Sequence, residues 1–393
     1  MDPTRIHEAI QGFLPEIVAL RHALHAHPEI RFEEVWTSNR IAAFLDAHSV
    51  PYQRGYAGGT GIVATLGSGD GPVVALRTDM DALEIEELAS PPYRSTLPHR
   101  MHACGHDGHM ATLCGVIKLF AAQRETIPGS LRFIFQPAEE MAAGGRLMVE
   151  EGAVDGVKAA FALHCWPGIP VGSAGAGNGI VMASADTFRM DLTGLGGHAA
   201  NPGATRDPVI AAAQLVNALN HIVSREMNPW EPAVLSVTQI HGGAASNVIP
   251  ESAWIEGTFR ATSETSRGKL FAAVERVGES IGEAYRVDVR LTCSDHGYPP
   301  VYNDPAMAAL VRTTLEAYRG SQSIVPVNHP YMTAEDFSFY LQQVPGAFIF
   351  LGNDAQGIEN PPSLHSPYFN FNDDALPIGI ELMARTALNA LQA

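Results

Sequence analysis

The chain has 393 residues, more than one hydrophobic core usually serves, so we expect two domains. Hydrophobic residues make up 46% of it, which is ordinary for a globular protein. The formal net charge of −17 is spread along the chain and no basic run is present, which argues against nucleic acid and anionic membranes as partners.

The N-terminus and the cysteines both bear on the cellular compartment. The first ten residues carry charges at Asp2, Arg5 and Glu8 and lack the apolar core of a secretory signal peptide. No stretch approaches about 18 uninterrupted apolar residues, so we expect no membrane span. Four cysteines in a chain of this length do not form a disulfide framework and are typical of a reducing compartment. We therefore predict a cytoplasmic protein.

The first part of the chain alternates helix-like and strand-like segments. One helical face is formed by Ile41, Phe44, Leu45 and His48. Apolar runs typical of strands follow, with helical stretches between several of them, at Gly61–Leu66, Val73–Leu76, Leu131–Phe135 and Ala159–His164. This alternation predicts an α/β layered sheet.

The middle of the chain has a different order of elements. A strand over Phe188–Thr193 precedes a helix that Asp207 can cap, with Pro208 at its first position. The elements that follow are strands at Ala233–Ile240 and Ser252–Arg260, a helix over Lys269–Tyr285 and a strand over Val287–Thr292. The order β-α-β-β-α-β predicts a ferredoxin-like α+β unit.

The last hundred residues or so return to alternation. A helix follows Pro305, a strand covers Ala347–Gly352 and a C-terminal helix starts at Asp373. The simplest architecture is one α/β domain interrupted by a smaller α+β domain. We place the boundaries as follows: residues 1–182 and 294–393 form the two parts of the α/β domain, and residues 183–293 form the insertion.

The densest group of potential metal ligands is the segment Met101–His109, which reads MHACGHDGH. Three histidines, a cysteine and an aspartate lie within eight positions. Thiolate and imidazole suit zinc and the neighbouring transition metals. A polar loop with incidental histidines would explain the segment equally well, because single motifs produce false positives.

Three further candidates lie in the same predicted domain. Glu139 and Glu140 follow the strand Leu131–Phe135, at the place where α/β enzymes put their sites, and one could bind metal while the other acts as a general base. An acidic turn opening a helix would explain the pair without catalysis. His164 and His365 are single histidines, which are more often structural than ligands.

Taken together, eight motifs resemble a family of metal-dependent hydrolases that includes aminoacylases, hippurate hydrolases, bacterial carboxypeptidases and plant auxin-conjugate hydrolases. The motifs, in chain order, are MHACGHDGH, QPAEE, LHCWP, GGHAANP, GGAASNVIP, GTFR, AEDFSF and LHSPYF. The resemblance extends over essentially the whole chain, from about Ile6 to the C-terminal helix, and the branch that is most similar has a cysteine in the bridging position. The resemblance implies an amidohydrolase with two metal ions.

The resemblance also implies a ligand set. Cys104 would bridge two divalent metal ions, with zinc, manganese, cobalt and nickel all compatible. His106 and His164 would complete the protein ligands of one ion, and Glu140 and His365 those of the other.

Other matching positions have supporting roles. Glu139 would be the general base and later the acid, and Asp79 would orient a ligand histidine. Arg77 stands where other branches carry a ligand histidine, which is a departure that fits the cysteine-containing branch. The match assigns no ligand role to the other polar residues nearby, which are His102, Asp107, His109 and Cys165.

Within the predicted insertion, the resemblance implies substrate-binding roles. His198 would polarise the scissile carbonyl, and Asn247 and Arg260 would hold the substrate carboxylate, which an arginine can grip with two parallel hydrogen bonds. Without the motifs, Arg260 would be interpreted as part of a surface ion pair and His198 as a loop residue. A homodimer formed through the insertion is also expected.

The predicted activity is hydrolysis of an N-acyl amino acid or a similar small amide that carries a carboxylate. A dipeptidase or exopeptidase using the same site is the nearest alternative. A non-catalytic metal-dependent binding protein would have no need for Glu139. A cysteine hydrolase pairing Cys104 with His106 is disfavoured because residues two apart in a loop rarely form a productive pair.

Overall fold

The chain folds into two compact units, which the computed structural model describes over residues 3–67 and 69–393. The first unit runs to Val181 and also includes Tyr302–His329 and Asp336–Ala393. The second consists of Met182–Val301 and Pro330–Glu335. The insertion that the sequence predicts, residues 183–293, lies within the span Met182–Val301.

The strands of the described residues are β1 (Tyr52–Tyr56), β2 (Gly61–Gly67), β3 (Val73–Asp79), β4 (Ser130–Gln136), β5 (Val157–Pro170), β6 (Ala174–Gly175), β7 (Gly179–Met182), β8 (Asp186–Thr193), β9 (Gly197–His198), β10 (Ala233–Gly242), β11 (Val248–Ile249), β12 (Ser252–Ala261), β13 (Asp288–Cys293), β14 (Val301–Asn303) and β15 (Gly346–Asp354). The helices are α1 (Pro3–His25), α2 (Val35–Ala47), α3 (His106–Ala121), α4 (Glu139–Ala142), α5 (Gly144–Glu150), α6 (Pro208–Glu226), α7 (Glu264–Tyr285), α8 (Pro305–Arg319), α9 (Ser338–Leu341) and α10 (Leu376–Gln392).

A seven-stranded sheet in the order β1-β2-β4-β3-β5-β15-β6 forms the centre of the first unit. Its inner strands β4, β3, β5 and β15 are parallel neighbours. Every residue of β15 is buried, which is typical of a parallel strand covered on both faces. Helices α1, α3 and α10 pack on one another and on the sheet in a single hydrophobic core.

The parallel strands place polar residues at one edge of this sheet. Asp79 ends β3, Gln136 ends β4, and the pair Glu139 and Glu140 follows within three and four positions. His164 lies in β5, opposite Phe350 of β15. Because carboxyl ends of parallel strands meet at the same edge, this edge is where ligands bind in such sheets.

The second unit contains a four-stranded antiparallel sheet in the order β10-β12-β8-β13. Helices α6 and α7 pack together and on this sheet, so the unit has the predicted ferredoxin-like order. The predicted cap is confirmed, since the Asp207 carboxylate accepts the N–H groups of Val209 and Ile210. The fold class predicted from the sequence is therefore confirmed.

Some elements are longer or shorter than predicted. Helix α7 begins at Glu264 rather than Lys269, because the hydroxyl of Ser263 caps it by accepting the N–H of Ser266 at 3.0 Å. Strand β5 continues to Pro170 because its last part stays paired with β15. The C-terminal α-helix begins at Leu376, after a 3₁₀ turn over Asp373–Ala375. Within the described residues, no helix is both long enough and apolar enough to span a membrane.

Candidate metal centre

The turn at Gly105 sets the geometry of the MHACGHDGH segment. Gly105 has φ +84° directly before helix α3, and a Cβ there would lie 2.4 Å from Sγ of Cys165. Only glycine combines this left-handed conformation with so close an approach. Cys104 therefore lies immediately before the turn and His106 opens the helix after it.

Cys104 and His164 contact each other although they come from different elements. Sγ of Cys104 lies 3.3 Å from Nε2 of His164. Nδ1 of His164 is 2.7 Å from the carbonyl oxygen of Cys165, to which it must donate, since a carbonyl only accepts. In the neutral ring, Nε2 of His164 is therefore unprotonated and faces the sulfur, as a metal ligand would.

His106 has the same arrangement of ring nitrogens. Its Nδ1 donates to the carbonyl oxygen of Asp81 at 2.8 Å, so in the neutral ring, the form that binds metal, Nε2 is the nitrogen with a lone pair. This Nε2 is buried, has no hydrogen-bond partner and lies 3.9 Å from Oε1 of Glu140. A buried polar atom without a partner is costly unless something binds it.

Glu140 and His365 bring the C-terminal part of the chain to the same place. Nε2 of His365 lies 3.3 Å from Oε1 of Glu140. The backbone of His365 has φ 64°, and its N–H donates to the carbonyl of Ala103 at 2.9 Å. That bond holds His365 beside the residue that precedes Cys104. Glu139 is buried at the start of α4.

Several groups of side chains have ligand atoms within 4.8 Å of one another. Three of them consist only of predicted ligands and the predicted base: Cys104, His106 and His164; Cys104, Glu140 and His365; and His106, Glu139 and Glu140. Cys104 belongs to two of these groups. A thiolate shared between two sets of donors fits a pair of divalent metal ions with a bridging ligand.

The electrostatics of the cluster also fit bound cations. Burial, followed by the carboxylates of Glu140 and Glu139, raises the pKa of the Cys104 thiol well above its ordinary value. Burial alone would lower the pKa of His106, but Asp79, Asp81 and Glu140 outweigh it and raise that pKa to about 10. A thiol in such surroundings becomes a thiolate only beside a compensating positive charge, which a divalent metal supplies.

Asp79 contacts His109 and Arg77 rather than a candidate ligand. Its Oδ1 accepts from Nδ1 of His109 at 2.8 Å, whereas its Oδ2 lies 3.8 Å from Nε2 of His106. Nε2 of His109 accepts the backbone N–H of Cys165 at 2.9 Å. Both ring nitrogens of His109 are thus engaged, and Asp79 lies beside His106 without hydrogen-bonding to it.

A buried network around Arg77 supports the sheet edge, and its full extent was not foreseen from the sequence. Arg77 donates to Gln136 at 2.9 Å, to Asp79 at 2.8 Å and to Asp336 at 2.8 Å. Asp336 also accepts from Gln136 and from the N–H of Gly145. Burial raises the pKa of Asp336 to about 6, although Arg77 lowers it. The sequence signal for this network is that Gln136 and Asp336 lie in the motifs QPAEE and AEDFSF.

In the second unit, His198 and Asn247 lie together. Strand β9 pairs with β11 so that His198 is opposite Val248, and the N–H of Ala199 donates to the carbonyl of Asn247 at 3.0 Å. The N–H of Ala200 donates to Nδ1 of His198 at 3.0 Å, so the neutral ring carries its proton on Nε2. His198 is exposed and presents Nε2–H as a donor.

Arg260 lies on a different strand of the second unit, β12, opposite Val234 of β10. It is partly buried, donates to the carbonyl of Phe259 at 3.1 Å and contacts the hydroxyl of Thr258. Burial lowers the pKa of its guanidinium. Among the described residues, the hydrogen bonds of this guanidinium go to a carbonyl and a hydroxyl and not to a carboxylate, unlike the surface ion pair of the alternative interpretation.

Known proteins are similar to this chain in sequence and in fold. The model of peptidase family M20/M25/M40 matches residues 75–389. An IAA-amino acid hydrolase (ILR1-like 4) of Arabidopsis thaliana is 37% identical over 96% of this chain and 86% of its own length. The N-acetylcysteine deacetylase of Bacillus subtilis is 36% identical, over 98% of this chain and 99% of its own.

A solved structure agrees with these two sequence relatives. The YXEP protein of Bacillus subtilis, described as a dinuclear metal binding peptidase of the M20 family, superposes with a TM-score of 0.84 at 33% identity, covering 98% of this chain and 99% of that one. A match to most of the chain, together with relatives above 30% identity across its length, confirms the family predicted from the motifs. The chain belongs to peptidase family M20/M25/M40 and is a metal-dependent hydrolase of amide bonds.

Proposed function

We propose that the chain hydrolyses N-acyl amino acids, or similar small amides with a free carboxylate, at a site that holds two divalent metal ions. One observation carries this proposal: Cys104 belongs both to the group with His106 and His164 and to the group with Glu140 and His365. Each group offers three protein donors. Three donors leave coordination positions for water and substrate, as catalytic metal sites require.

The five proposed ligands combine sulfur, nitrogen and oxygen, so zinc, manganese, cobalt and nickel are all compatible. When bound, the ions would acidify a water molecule and polarise the substrate carbonyl. The protein contributes the orientation of the ligands. The carbonyls of Asp81 and Cys165 fix the rings of His106 and His164, each with Nε2 directed inward.

Glu139 is the proposed general base. It is buried beside Glu140 and belongs to the group with His106, but to neither group that contains Cys104. A carboxylate there can take a proton from the attacking water and give it to the leaving amine. The adjacent Glu140, in contact with His365, is left to bind metal.

The second unit would recognise the rest of the substrate. Nε2–H of His198 is suited to donate to the negative charge that develops on the carbonyl oxygen. Arg260 and Asn247 are proposed to bind the carboxylate, for which a guanidinium is well shaped. The names of two relatives support this substrate class, because IAA-amino acids and N-acetylcysteine are both amides that carry a carboxylate.

A homodimer through the second unit is part of the proposal. Strand β10 is an edge strand of its sheet, and apolar side chains on or near it are exposed, including Ile240 at 51% and Trp230 at 90%. An exposed edge with apolar residues is a ready surface for pairing with a second copy. The predicted cytoplasmic location stays a prediction.

A dipeptidase is the second candidate, because the structurally similar YXEP protein is described as a peptidase. The two activities would share every proposed metal ligand and differ in the group attached to the amide nitrogen or carbonyl. The metal chemistry is therefore the same for the N-acyl amino acid hydrolase and for the dipeptidase, and only the substrates distinguish them.

The decisive experiment is a hydrolysis panel of N-acetyl, N-benzoyl and indole-3-acetyl amino acids and dipeptides. Each is measured with stripped protein and after adding back zinc, manganese, cobalt or nickel. We expect N-acyl amino acids to be cleaved only by metal-loaded protein, and their methyl esters to react much more slowly, because the esters lack the carboxylate. Faster cleavage of dipeptides than of any N-acyl amino acid would favour the second candidate.

A further inference from the structure

A small pocket of about 170 Å³ opens beside Glu140 in the first unit. Most of its lining surface is apolar. Nine residues line it: five apolar ones, Ile30, Ala82, Leu83, Ile85 and Met141, and four charged ones, Arg31, Asp81, Glu84 and Glu140. Such a pocket favours an uncharged group that removes apolar surface from water.

Backbone hydrogen bonds hold the walls in place. The N–H of Ala82 donates to the carbonyl of Glu29 at 2.8 Å. Leu83 and Met101 exchange a pair of backbone bonds at 3.0 and 3.1 Å, and the N–H of Ile85 donates to the carbonyl of Leu83 at 2.9 Å. The pocket is therefore formed before a ligand arrives, and its size can select among ligands.

The pocket shares one residue with the proposed metal centre. Glu140 lines it, and the N–H of Glu140 donates to Oδ2 of Asp81, a second lining residue, at 3.0 Å. Met141, which also lines the pocket, is 62% exposed. A group in this pocket would thus lie next to the carboxylate that is proposed to bind metal and extend away from it toward solvent.

We propose that this pocket holds the acyl group of the substrate and selects uncharged acyl groups up to about the size of one six-membered ring. The inference rests on the proposed function. There, Arg260 and Asn247 of the second unit take the carboxylate, which leaves the acyl group to the first unit. All residues lining the pocket belong to the first unit.

The volume sets the size limit. An apolar cavity of roughly 150 Å³ is large enough to hold benzene. A pocket of about 170 Å³ therefore encloses a phenyl ring or a branched chain of similar bulk, whereas part of the two fused rings of an indole would remain outside it. Its lining carries three carboxylates, Asp81, Glu84 and Glu140, against the single cation Arg31, and this excess of negative charge disfavours an anionic acyl group.

The test begins with a series of acyl groups on one amino acid: acetyl, propionyl, butyryl, benzoyl and indole-3-acetyl. Each buried methylene is expected to raise kcat/KM about fourfold from acetyl to butyryl. The kcat/KM should be highest for the benzoyl substrate and lower for the indole-3-acetyl substrate. A second series keeps the acyl group and varies the amino-acid side chain.

Two variants on the same loop make the test specific. Leu83→Ala enlarges the pocket and keeps its backbone bonds, so the kcat/KM ratio of indole-3-acetyl to acetyl substrate should rise about tenfold or more. Leu88→Ala makes the same chemical change at a side chain that is 51% exposed and does not line the pocket, so the ratio should stay within about twofold.

Binding provides a readout that is separate from turnover. Calorimetry with the Glu139→Gln protein should show the same order of affinities for the acyl series and the same change of order with Leu83→Ala. Hydrolysis and binding that do not depend on acyl size would overturn the pocket assignment but leave the proposed function standing. The assignment also falls if Leu83→Ala changes selectivity only in the amino-acid series. Absence of hydrolysis for every N-acyl amino acid rejects the proposed function, and the pocket assignment with it.

Discussion

Nδ1 of His109 donates to the Asp79 carboxylate at 2.8 Å, and the two side chains form a buried pair. Nε2 of the same ring accepts the N–H of Cys165. His109 lies close enough to His164 and Cys165 to join a metal-binding group by distance alone, yet it has no free lone pair to offer. His109 and Asp79 therefore position the strand that carries His164.

We expect His109→Gln to keep both metal ions and to lose activity about 10- to 100-fold, the usual range for residues that support ligands. His106→Ala is the matched comparison and should lose one metal ion. Metal content by elemental analysis, measured beside kcat, separates the two cases. Loss of a full equivalent of metal from His109→Gln would show that the ring is a ligand after all.

The adjacent carboxylates should respond differently to the same substitution. Glu139→Gln is expected to keep its metal and lose most of its turnover, because the amide cannot accept the proton from water. Glu140→Gln should lose metal mainly from one position, because its Oε1 lies in the group with Cys104 and His365. Metal content and rate, measured on both proteins, test this. Near-normal turnover in Glu139→Gln would refute its role as the base.

Cys104 should be protected by metal. Thiol reagents are expected to modify it more slowly in the loaded protein than after chelation, since a sulfur that binds metal is not available to attack the reagent. Cys293 is only half-buried and would add background labelling, so the measurement is best made in a Cys293→Ser protein. Equal labelling rates in both states would remove Cys104 from the site.

The same site predicts how Cys104 tolerates substitution. Cys104→Ala should lose at least one metal ion. Cys104→Asp is expected to keep partial activity, because a carboxylate can also bridge two ions.

His198→Ala should lower turnover about 100- to 1,000-fold, the typical cost of a lost oxyanion donor, and leave metal content unchanged. The proposed homodimer adds a second test. If His198 acts on the partner's site, mixing His198→Ala with Glu139→Gln protein restores one complete site per mixed dimer, and activity should return after subunit exchange. A mixture that recovers nothing would show that His198 acts within its own chain.

A buried ion-pair network beside the metal centre predicts a pH dependence of stability. Burial lowers the pKa of His25, but Asp107 and Glu87, at 2.9 and 3.1 Å, outweigh it and raise that pKa to about 9. In the unfolded chain it is about 6.5. The protonated ring therefore stabilises the fold fully below about pH 6.5, and this stabilisation is lost as the pH rises through about 9.

The measurement is the Tm of metal-free protein between pH 6 and 9.5, compared with His25→Gln. The wild type should lose stability across this range more steeply than the variant, because the variant has no proton to lose at this position. If the Tm of the wild type and that of the variant change in parallel with pH, His25 is neutral in the folded protein.

Hydrophobic periodicity was sufficient to predict most elements and the fold class. Strands β2, β4 and β15 are rich in apolar residues, and their length and flanking turns set them apart from helices. The start of α7 differs from the prediction although its signal is local, because Ser263 caps the helix six residues before Lys269, where the predicted helix begins.

Within the site, the sequence was enough to name candidate ligands but not to assign every contact. His106 and His109 are three residues apart on α3, so both lie near the end of β3, and spacing alone does not tell which one Asp79 bonds. The bond between Arg77 and Asp336 joins residues 259 positions apart, which no local pattern reveals. The acyl pocket is likewise assembled from three separate segments of the chain.

The discontinuous first unit has a consequence for synthesis on the ribosome. Strand β15 lies between β5 and β6 in the sheet but is translated after nearly all of the second unit. The second unit can therefore fold as it emerges, while β5 still has an unpaired edge. His365 follows β15, so the full set of proposed ligands exists only after the second unit and β15 have been translated, and both metal positions cannot be complete before then. We expect stalled or C-terminally truncated products to expose the β5 edge, bind metal poorly and depend on chaperones to avoid aggregation.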